Sequence, residues 1–446
     1  MARMTLIAFL CLFVLPVAGQ DSNMQYPKSL LSGQWRTYYM ATVNKGSLKD
    51  FNALATGGYV RYEYRIAKSL RIGGALYNST NLGIQDLQIA DPQTGRLSRY
   101  EEGLFDRLDL ANDVVIILGE LYAYLALADH DFRLGRMKIN SPLINPQDGR
   151  MIPSLVQGLW YRYRPEPGRQ LQLGVINRMA PRSTVEFLKI GESIGPYPAG
   201  RGVDGGPARY PGNTDSGYVV LFNADVEITP AVRVNLWNQY TDNISNSFYL
   251  QPTLELSPTI QLQGEWLHQN RVGEGGNSID SLRYFTPVHS DILGARIRYM
   301  EGTSGISLSY TRILPGGMFL SPREWGREDL FSFQKRERSE GTADSHAVVA
   351  SYQRVFGEEK LKVRSIASLG HHWKPDIGNA SLNKYAMPDY THANLDLFFD
   401  LAALPNLKPE LLLTAKFSDH RNMGVPEVFI NKVGLFHLSL VLNYNF

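Results

Sequence analysis

Segments of alternating apolar and polar residues run along this chain, joined by connections that are by turns very short and very long. The short connections are "AKS" at 67–69, "AD" at 128–129, "PEPG" at 165–168, "TP" at 229–230, "SP" at 257–258, "GT" at 302–303, "GEE" at 357–359 and "PNLK" at 404–407. Between them lie long ones at 80–113, 139–153, 179–215, 271–287, 315–342, 373–389 and 419–432, with one short exception near Asp242 and Asn243. Asp204 and Glu340 fall in these long connections and are expected on an outward-facing surface.

The segments themselves, such as "QWRTYYMATV" from Gln34, "YVRYEYRI" from Tyr59, "IQLQGEW" from Ile260 and "LKVRSIASL" from Leu361, are about 9 to 13 residues long and about eighteen in number. A two-residue period puts successive side chains on opposite faces of a strand. In the last segment, "GLFHLSLVLNYNF" at 434–446, Phe436, Leu438, Leu440, Leu442, Tyr444 and the final Phe446 share one face, and His437, Ser439, Asn443 and Asn445 share the other. No stretch reads as an amphipathic helix of any length.

A sandwich in water shows the same alternation but has no cause to put tight turns at one rim and long loops at the other, whereas an outer-membrane barrel does. In lipid every backbone donor and acceptor must be paired within the protein, which allows a sheet only if it closes on itself. The expected fold is therefore all-β: a transmembrane antiparallel β-barrel of about eighteen strands. Leu, Val, Phe and Tyr face lipid, and Arg, Glu, Gln and Asn face a wet lumen wide enough for water and small solutes. Phe446 is expected at the interface girdle, on a strand that closes against the first, where it serves the barrel-assembly machinery as a terminal signal.

The first residues, "MARMTLIAFLCLFVLPVAGQ", combine Arg3, an apolar run from Leu6 to Val17 and small Ala18 and Gly19. They are expected to be an export signal over 1–19, leaving 20–446 as a single barrel domain. The one cysteine, Cys11, lies inside that signal, so the exported chain has no thiol chemistry. Past it no run is long and apolar enough for a membrane helix: "VVIILGELYAYLALA" from Val114 is broken by Glu120. A formal charge of +2 argues against nucleic acid as a partner.

Catalytic signals are weak. His371 and His372 are neighbours, so in a strand they face opposite sides, one to the lumen and one to the girdle, and cannot share a metal. "DHD" at 129–131 falls at a short turn, as a solvated cluster. No nucleophile elbow or phosphate-binding loop is present, and "GRGVDGGPARYPGN" from Gly200 lies in a long loop. No catalytic residue, metal or cofactor is assigned. Arg36, Arg61, Arg65, Arg162, Arg164, Arg233, Arg296, Arg298, Lys362, Arg364 and Lys416 all fall on the polar face, with Glu63, Glu265, Asp396 and Asp400. Such charges either pair to stiffen a hydrated wall or lower the barrier for anionic solutes and stop a carboxylate with two parallel hydrogen bonds.

"FRLGRMKINSPLINPQDGRMIPSLVQGLWYRY" at 132–163 resembles the strand, inward-folding loop and strand of the OprD-type substrate-specific porins. "GQWRTYYMATV" resembles that family's first strand, "SPREWGREDLFSFQKRERSEG" from Ser321 its late loop containing "EWG", and "YAMPDYTHANLDLFFDL" from Tyr385 the start of a late strand. The resemblance implies an 18-stranded barrel whose third long loop folds inward as a constriction, with passive uptake of small nutrients, often carboxylates. It places Arg150 at the constriction with Asp148 and Asn145 beside it, and Arg36 and Arg61 match only in being basic on early strands. The long second and fourth loops are expected to narrow the pore further. The expected function is thus an outer-membrane porin for small hydrophilic solutes, as a monomer or trimer. The alternatives are an outer-membrane barrel enzyme, a lipase or protease, and a plugged receptor or adhesin.

Overall fold

The structure, a computed structural model, describes residues 28–147, 150–418 and 426–446. The expected export signal lies outside the described residues. Eighteen antiparallel strands form the wall: β1 (Ser29–Asn44), β2 (Phe51–Arg65), β3 (Leu70–Asn81), β4 (Val114–Leu127), β5 (His130–Met137), β6 (Leu155–Glu166), β7 (Arg169–Ala180), β8 (Val219–Thr229), β9 (Val232–Thr241), β10 (Ser245–Glu255), β11 (Ile260–Arg271), β12 (His289–Glu301), β13 (Ser304–Ile313), β14 (Ser345–Glu358), β15 (Leu361–Trp373), β16 (Tyr390–Leu401), β17 (Leu407–Phe417) and β18 (Leu435–Asn445). A further two-residue strand, Leu188–Lys189, lies on the edge of β7 without interrupting the wall, because β7 pairs directly with β8.

Each strand pairs with its sequence neighbour, and β1 pairs with β18 from Gln34↔Asn445 to Asn44↔Leu435, so the sheet is closed. Beyond the strand end, the Phe446 N–H donates to the Gly33 carbonyl at 3.1 Å and the Gly33 N–H to the Phe446 carbonyl at 2.8 Å. The strands span 8 to 16 residues, a wider range than the periodicity indicates.

The alternation divides the faces as its period requires. On β18, Phe436, Leu440, Leu442, Tyr444 and Phe446 are exposed on the outer surface while His437, Ser439, Val441 and Asn443 are buried inside. Around the wall the outer face is a belt of Leu, Ile and Val, with Trp35, Tyr62, Tyr299 and Trp373 among its exposed aromatics. His371 packs on the Trp373 ring at 4.5 Å, and His372 is buried, bonded to Gln334 at 3.0 Å. The two histidines do face opposite sides.

One rim has only tight turns. The other carries nine connections, L1 (45–50), L2 (82–113), L3 (138–154), L4 (181–218), L5 (242–244), L6 (272–288), L7 (314–344), L8 (374–389) and L9 (418–434). L1 is a second short member beside L5, which the reading of a single exception missed.

The core lies inside the barrel, between the inward face of the wall and the loops. Trp325 of L7 is fully buried among Ile144 of L3, Ile190 and Ile194 of L4 and Met179 of β7, and its Nε1 donates to Ser193 Oγ at 2.9 Å. A second cluster sets Leu104 and Phe105 of L2 and Met151 of L3 against Tyr38, Met40 and Val441 of the wall. Glu340 is buried in this layer, not on the outer surface, because it pairs with Arg323 at 2.6 Å and Lys384 at 3.4 Å. Asp204 lies at the exposed end of an ion pair with Arg209.

A Cβ at Gly33 would overlap the Phe446 ring, so seam and terminal side chain are packed together. Deleting Phe446, or replacing Gly33 by Val, is expected to lower the yield of the compact, heat-modifiable band in unboiled gels several-fold. Wild-type yield in both variants would show that the seam closes without this contact.

Candidate functional site

The inward face of the wall mixes apolar and polar side chains, and in the long-loop half the polar ones hold loop backbone. Glu265 of β11 accepts from Tyr249 Oη and Thr311 Oγ1, each at 2.8 Å, and from the Phe331 N–H of L7. Gln269, four residues along β11, bonds both the N–H and the carbonyl of Leu320. Across the barrel, fully buried Lys416 of β17 donates to Glu337 at 2.8 Å. Arg336 donates to Tyr38 Oη at 2.9 Å and Ser439 Oγ at 2.8 Å. L7 thus spans the lumen from β11 to β17 and β18, each anchor satisfying a buried polar group that would otherwise be costly. L7 therefore joins L2, L3 and L4 in the layer packed inside the barrel. Its sequence signal was the even mixture of charges in "REWGREDLFSFQKRERSE", which suits a segment buried among partners as well as one in water.

L3 is clamped to L7 by Asn145. Its Nδ2 donates to the carbonyls of Ser141 at 3.1 Å and Arg327 at 2.8 Å, its Oδ1 accepts from the Arg327 N–H, and its own N–H reaches the Trp325 carbonyl. Beside it, Gln147 Oε1 accepts from Arg338 at 2.7 Å and from Arg182. Asp148 lies outside the described residues.

Arg150 is buried where L3 meets L2, its guanidinium against Gly103. Its carbonyl accepts from the Arg36 guanidinium at 2.8 Å, and Arg36 Nε donates to Asn443 Oδ1 at 2.7 Å, so a wall arginine positions a loop arginine. Burial, reinforced by the Arg336 charge, pushes the Arg150 guanidinium down to about 10, and it stays charged at neutral pH. Midway along the wall, Arg36, Tyr59, Tyr77, Lys138, Asn140 and Arg150 border a cavity of about 420 Å³. Lys138 opens L3, just past β5, and had no role in the sequence reading. Above it, Arg107 and Arg182 stack on Tyr197, at 4.0 Å and 4.4 Å from the ring centre.

The other basic lumen residues divide in two. Arg61 pairs with Glu120 at 2.5 Å, Arg162 and Arg164 share Asp131 at 2.9 and 3.0 Å, and Arg233 grips Asp225 with two bonds. Asp131 is therefore a buried ion-pair centre, where "DHD" suggested a solvated cluster. Arg296 and Arg364 instead lie over Phe331 and Phe398, each at 4.2 Å, and Arg298 follows Arg296 on the inward face.

In sequence the chain matches no family model and no curated protein. Its fold matches solved outer-membrane porins. Acinetobacter baumannii OccAB2 superposes with a TM-score of 0.69 at 12% identity, covering 94% of this chain and 98% of that one. Pseudomonas aeruginosa OpdK, solved with vanillate, gives 0.67 at 14% over the same shares, and P. aeruginosa OccK8 (OprE) gives 0.67 at 13%, again over 94% and 98%. The chain has the OprD-type porin fold.

L2 docks through Glu101, whose carboxylate accepts from Thr42 Oγ1 and lies 3.7 Å from His437, with Arg336 also nearby. Burial pushes this carboxyl up to about 7. A carboxyl raised on docking binds its proton more tightly in the docked state, so its contribution is full below about pH 4.5 and is lost as pH rises through about 7. The loss amounts to roughly 3 kcal/mol. Hydrogen-exchange protection across residues 98–106 is expected to fall between pH 5 and pH 8, after correction for the intrinsic rate. Glu101→Gln should flatten that profile, and an unchanged slope in the variant would remove Glu101 as its source.

Proposed function

We propose that this protein is an outer-membrane porin that lets small hydrophilic solutes diffuse inward, favouring those with a carboxylate. The observation that carries this reading is the mid-wall cavity of about 420 Å³ bordered by three cations, Arg36, Lys138 and Arg150. An arginine with its planar fork meets a carboxylate through two parallel bonds, which a neutral solute cannot match. Support also comes from exposure along the lumen: Arg36 to Asn44 on β1 are buried on their inward side, whereas Arg164 near the turn rim is about half exposed, as in a funnel that is wet on one side of the waist. OpdK, of the same fold, was solved with vanillate, a carboxylate. On this reading the barrel sits in the outer membrane, its long loops outside, and is assembled by the barrel-assembly machinery, for which Phe446 is a terminal signal.

One observation favours a second reading, a loop-filled barrel that binds without conducting: Glu101, Glu337 and Glu340 are all buried within the loop layer, and Lys416 of the wall is buried beneath it. Conductance in planar bilayers separates the two.

Arg150→Ala is expected to weaken block by small carboxylates by about one to two orders of magnitude, the worth of a charge-assisted contact. It should also shift reversal potential under a salt gradient toward cations. Arg150→Lys should restore the ion preference but less of the carboxylate affinity. Arg96→Ala, an exposed L2 position, should change neither. If Arg150→Ala raised conductance and noise with ion preference unchanged, Arg150 would be a loop pin only.

A further inference from the structure

The segment "VVIILGELYAYLALA" of β4 carries an acid where the two-residue period calls for a side chain facing lipid. Up to Leu118 the alternation is regular: Val115 and Ile117 are buried inside, and Ile116 and Leu118 are exposed outside. By that count Glu120 belongs to the outer face. It is instead buried, as is Tyr122, while Leu121 between them is exposed on the outer surface. The strand pairing gives the cause. Ala75 of β3 faces Glu120 and Leu76 faces Leu118, so Gly119 is an extra residue in β4, a β-bulge. A side chain there would crowd the packing, since a Cβ on Gly119 would lie 2.7 Å from the side chains of both Leu155 and Tyr77.

The bulge turns one carboxylate away from lipid and toward the waist. Glu120 accepts from the Arg61 guanidinium at 2.5 Å and from Tyr77 Oη, and the Lys138 ammonium lies 3.8 Å away. That last separation is beyond hydrogen-bond reach, so charge alone draws the ammonium to the carboxylate. Lys138 also lies over the Tyr59 and Tyr77 rings, 5.2 Å and 5.8 Å from their centres, and all three residues border the mid-wall cavity. Glu120 does not border it, and none of the described residues that do is acidic. Two cations therefore share one carboxylate set just behind the cavity wall.

We infer that Glu120 is a specificity-determining residue of the waist, one that limits how tightly an anion is held there. The inference rests on the proposed function, in which the waist is where anions are held. A solute anion and Glu120 attract the same Lys138 ammonium, so each weakens the hold of the other. Conduction needs a site strong enough to draw an ion in and weak enough to let it leave. Arg36, Lys138 and Arg150 supply the attraction. Glu120 caps it, by cancelling Arg61 and by competing for Lys138.

The test is Glu120→Gln, which removes the charge and keeps an acceptor for Arg61 and Tyr77 Oη. The compact, heat-modifiable band in unboiled gels shows that the variant has folded. Under a salt gradient its reversal potential should move further toward anions, and block by acetate should last about tenfold longer. In a Lys138→Met background the same substitution should lengthen block much less, because one of its two routes is gone. Should Glu120→Gln misfold, Glu120→Asp decides in its place: its carboxylate stands further from Lys138, and a smaller lengthening of block is expected. Wild-type reversal potential and block in the folded variant would overturn the inference, leaving Glu120 as a wall pin and the porin reading intact. A wild-type barrel that passes no current would sink the porin reading instead. Calorimetric titration of the folded barrel with acetate then decides Glu120: about tenfold tighter binding in Glu120→Gln supports its role, and equal binding overturns it.

Discussion

The antiparallel seam between β1 and β18 leaves no free edge in the wall. An N–H or C=O left unpaired against hydrocarbon would cost several kcal/mol, so a sheet with an apolar outer face is stable there only when closed. Once the backbone is satisfied around the ring, side chains on the two faces answer to different solvents. The outer face can be uniformly apolar because it makes no hydrogen bonds, and Leu134, Ile116 and Leu369 are exposed there at little cost. Gly33 belongs to the same constraint: the seam brings the Phe446 ring onto its Cα, where any side chain would push the strands apart.

Closure also creates the interior problem that the loops solve. A ring of eighteen strands encloses more space than its side chains fill, and many of its inward groups are polar. Where the lumen stays wet these groups are hydrated. Where loops fold in, every polar group on both sides must find a partner, and this accounts for the density of specific contacts in the layer. Glu265 with the Phe331 N–H, Gln269 with Leu320 and Lys416 with Glu337 are wall-to-loop bonds of this kind. Removing one partner of the Lys416 pair would leave the other charge buried, a loss of about 3 to 5 kcal/mol. A loop held by several such bonds has a defined position, as a selective constriction requires.

What was legible in the sequence follows the range of the interactions. The two-residue period and the rhythm of short and long connections are local, so strand number, faces and rims could be read directly. The inward side of Arg36, Arg162 and Arg233 came from the same parity. Their partners did not: Asp131 and Asp225 are cross-strand neighbours whose meeting depends on register. The loop layer was least legible. Glu340 looked like an exposed residue in a charged run, but Arg323 and Lys384, the latter from a different loop, pair with it in the interior. Asn145 meets L7 at Trp325 and Arg327, some 180 positions on, a pairing that no pattern in either segment announces. The importance of L7 was hidden because a balanced run of charges reads the same whether water or protein supplies its partners.

The distribution of charge separates wall from waist. Beyond about 8 Å at physiological ionic strength, a close ion pair is nearly neutral to its surroundings. The pairs of Arg61 with Glu120, of Arg162 and Arg164 with Asp131, and of Arg233 with Asp225 therefore stiffen the wall more than they shape the field in the lumen. At the waist Lys138 also pairs with Glu120, at 3.8 Å. Arg36, Lys138 and Arg150 border one cavity, and Arg107 and Arg182 are held on the Tyr197 ring beside them, with Glu102 answering Arg107. Gathering guanidinium groups in a poorly hydrated space costs more than leaving them in water, and stacking on tyrosine returns only part of that. On the proposed function, an anion at this point would touch groups held by L2, L3 and L4 together, so its binding and the packing of the loops would be one coupled equilibrium rather than two independent ones.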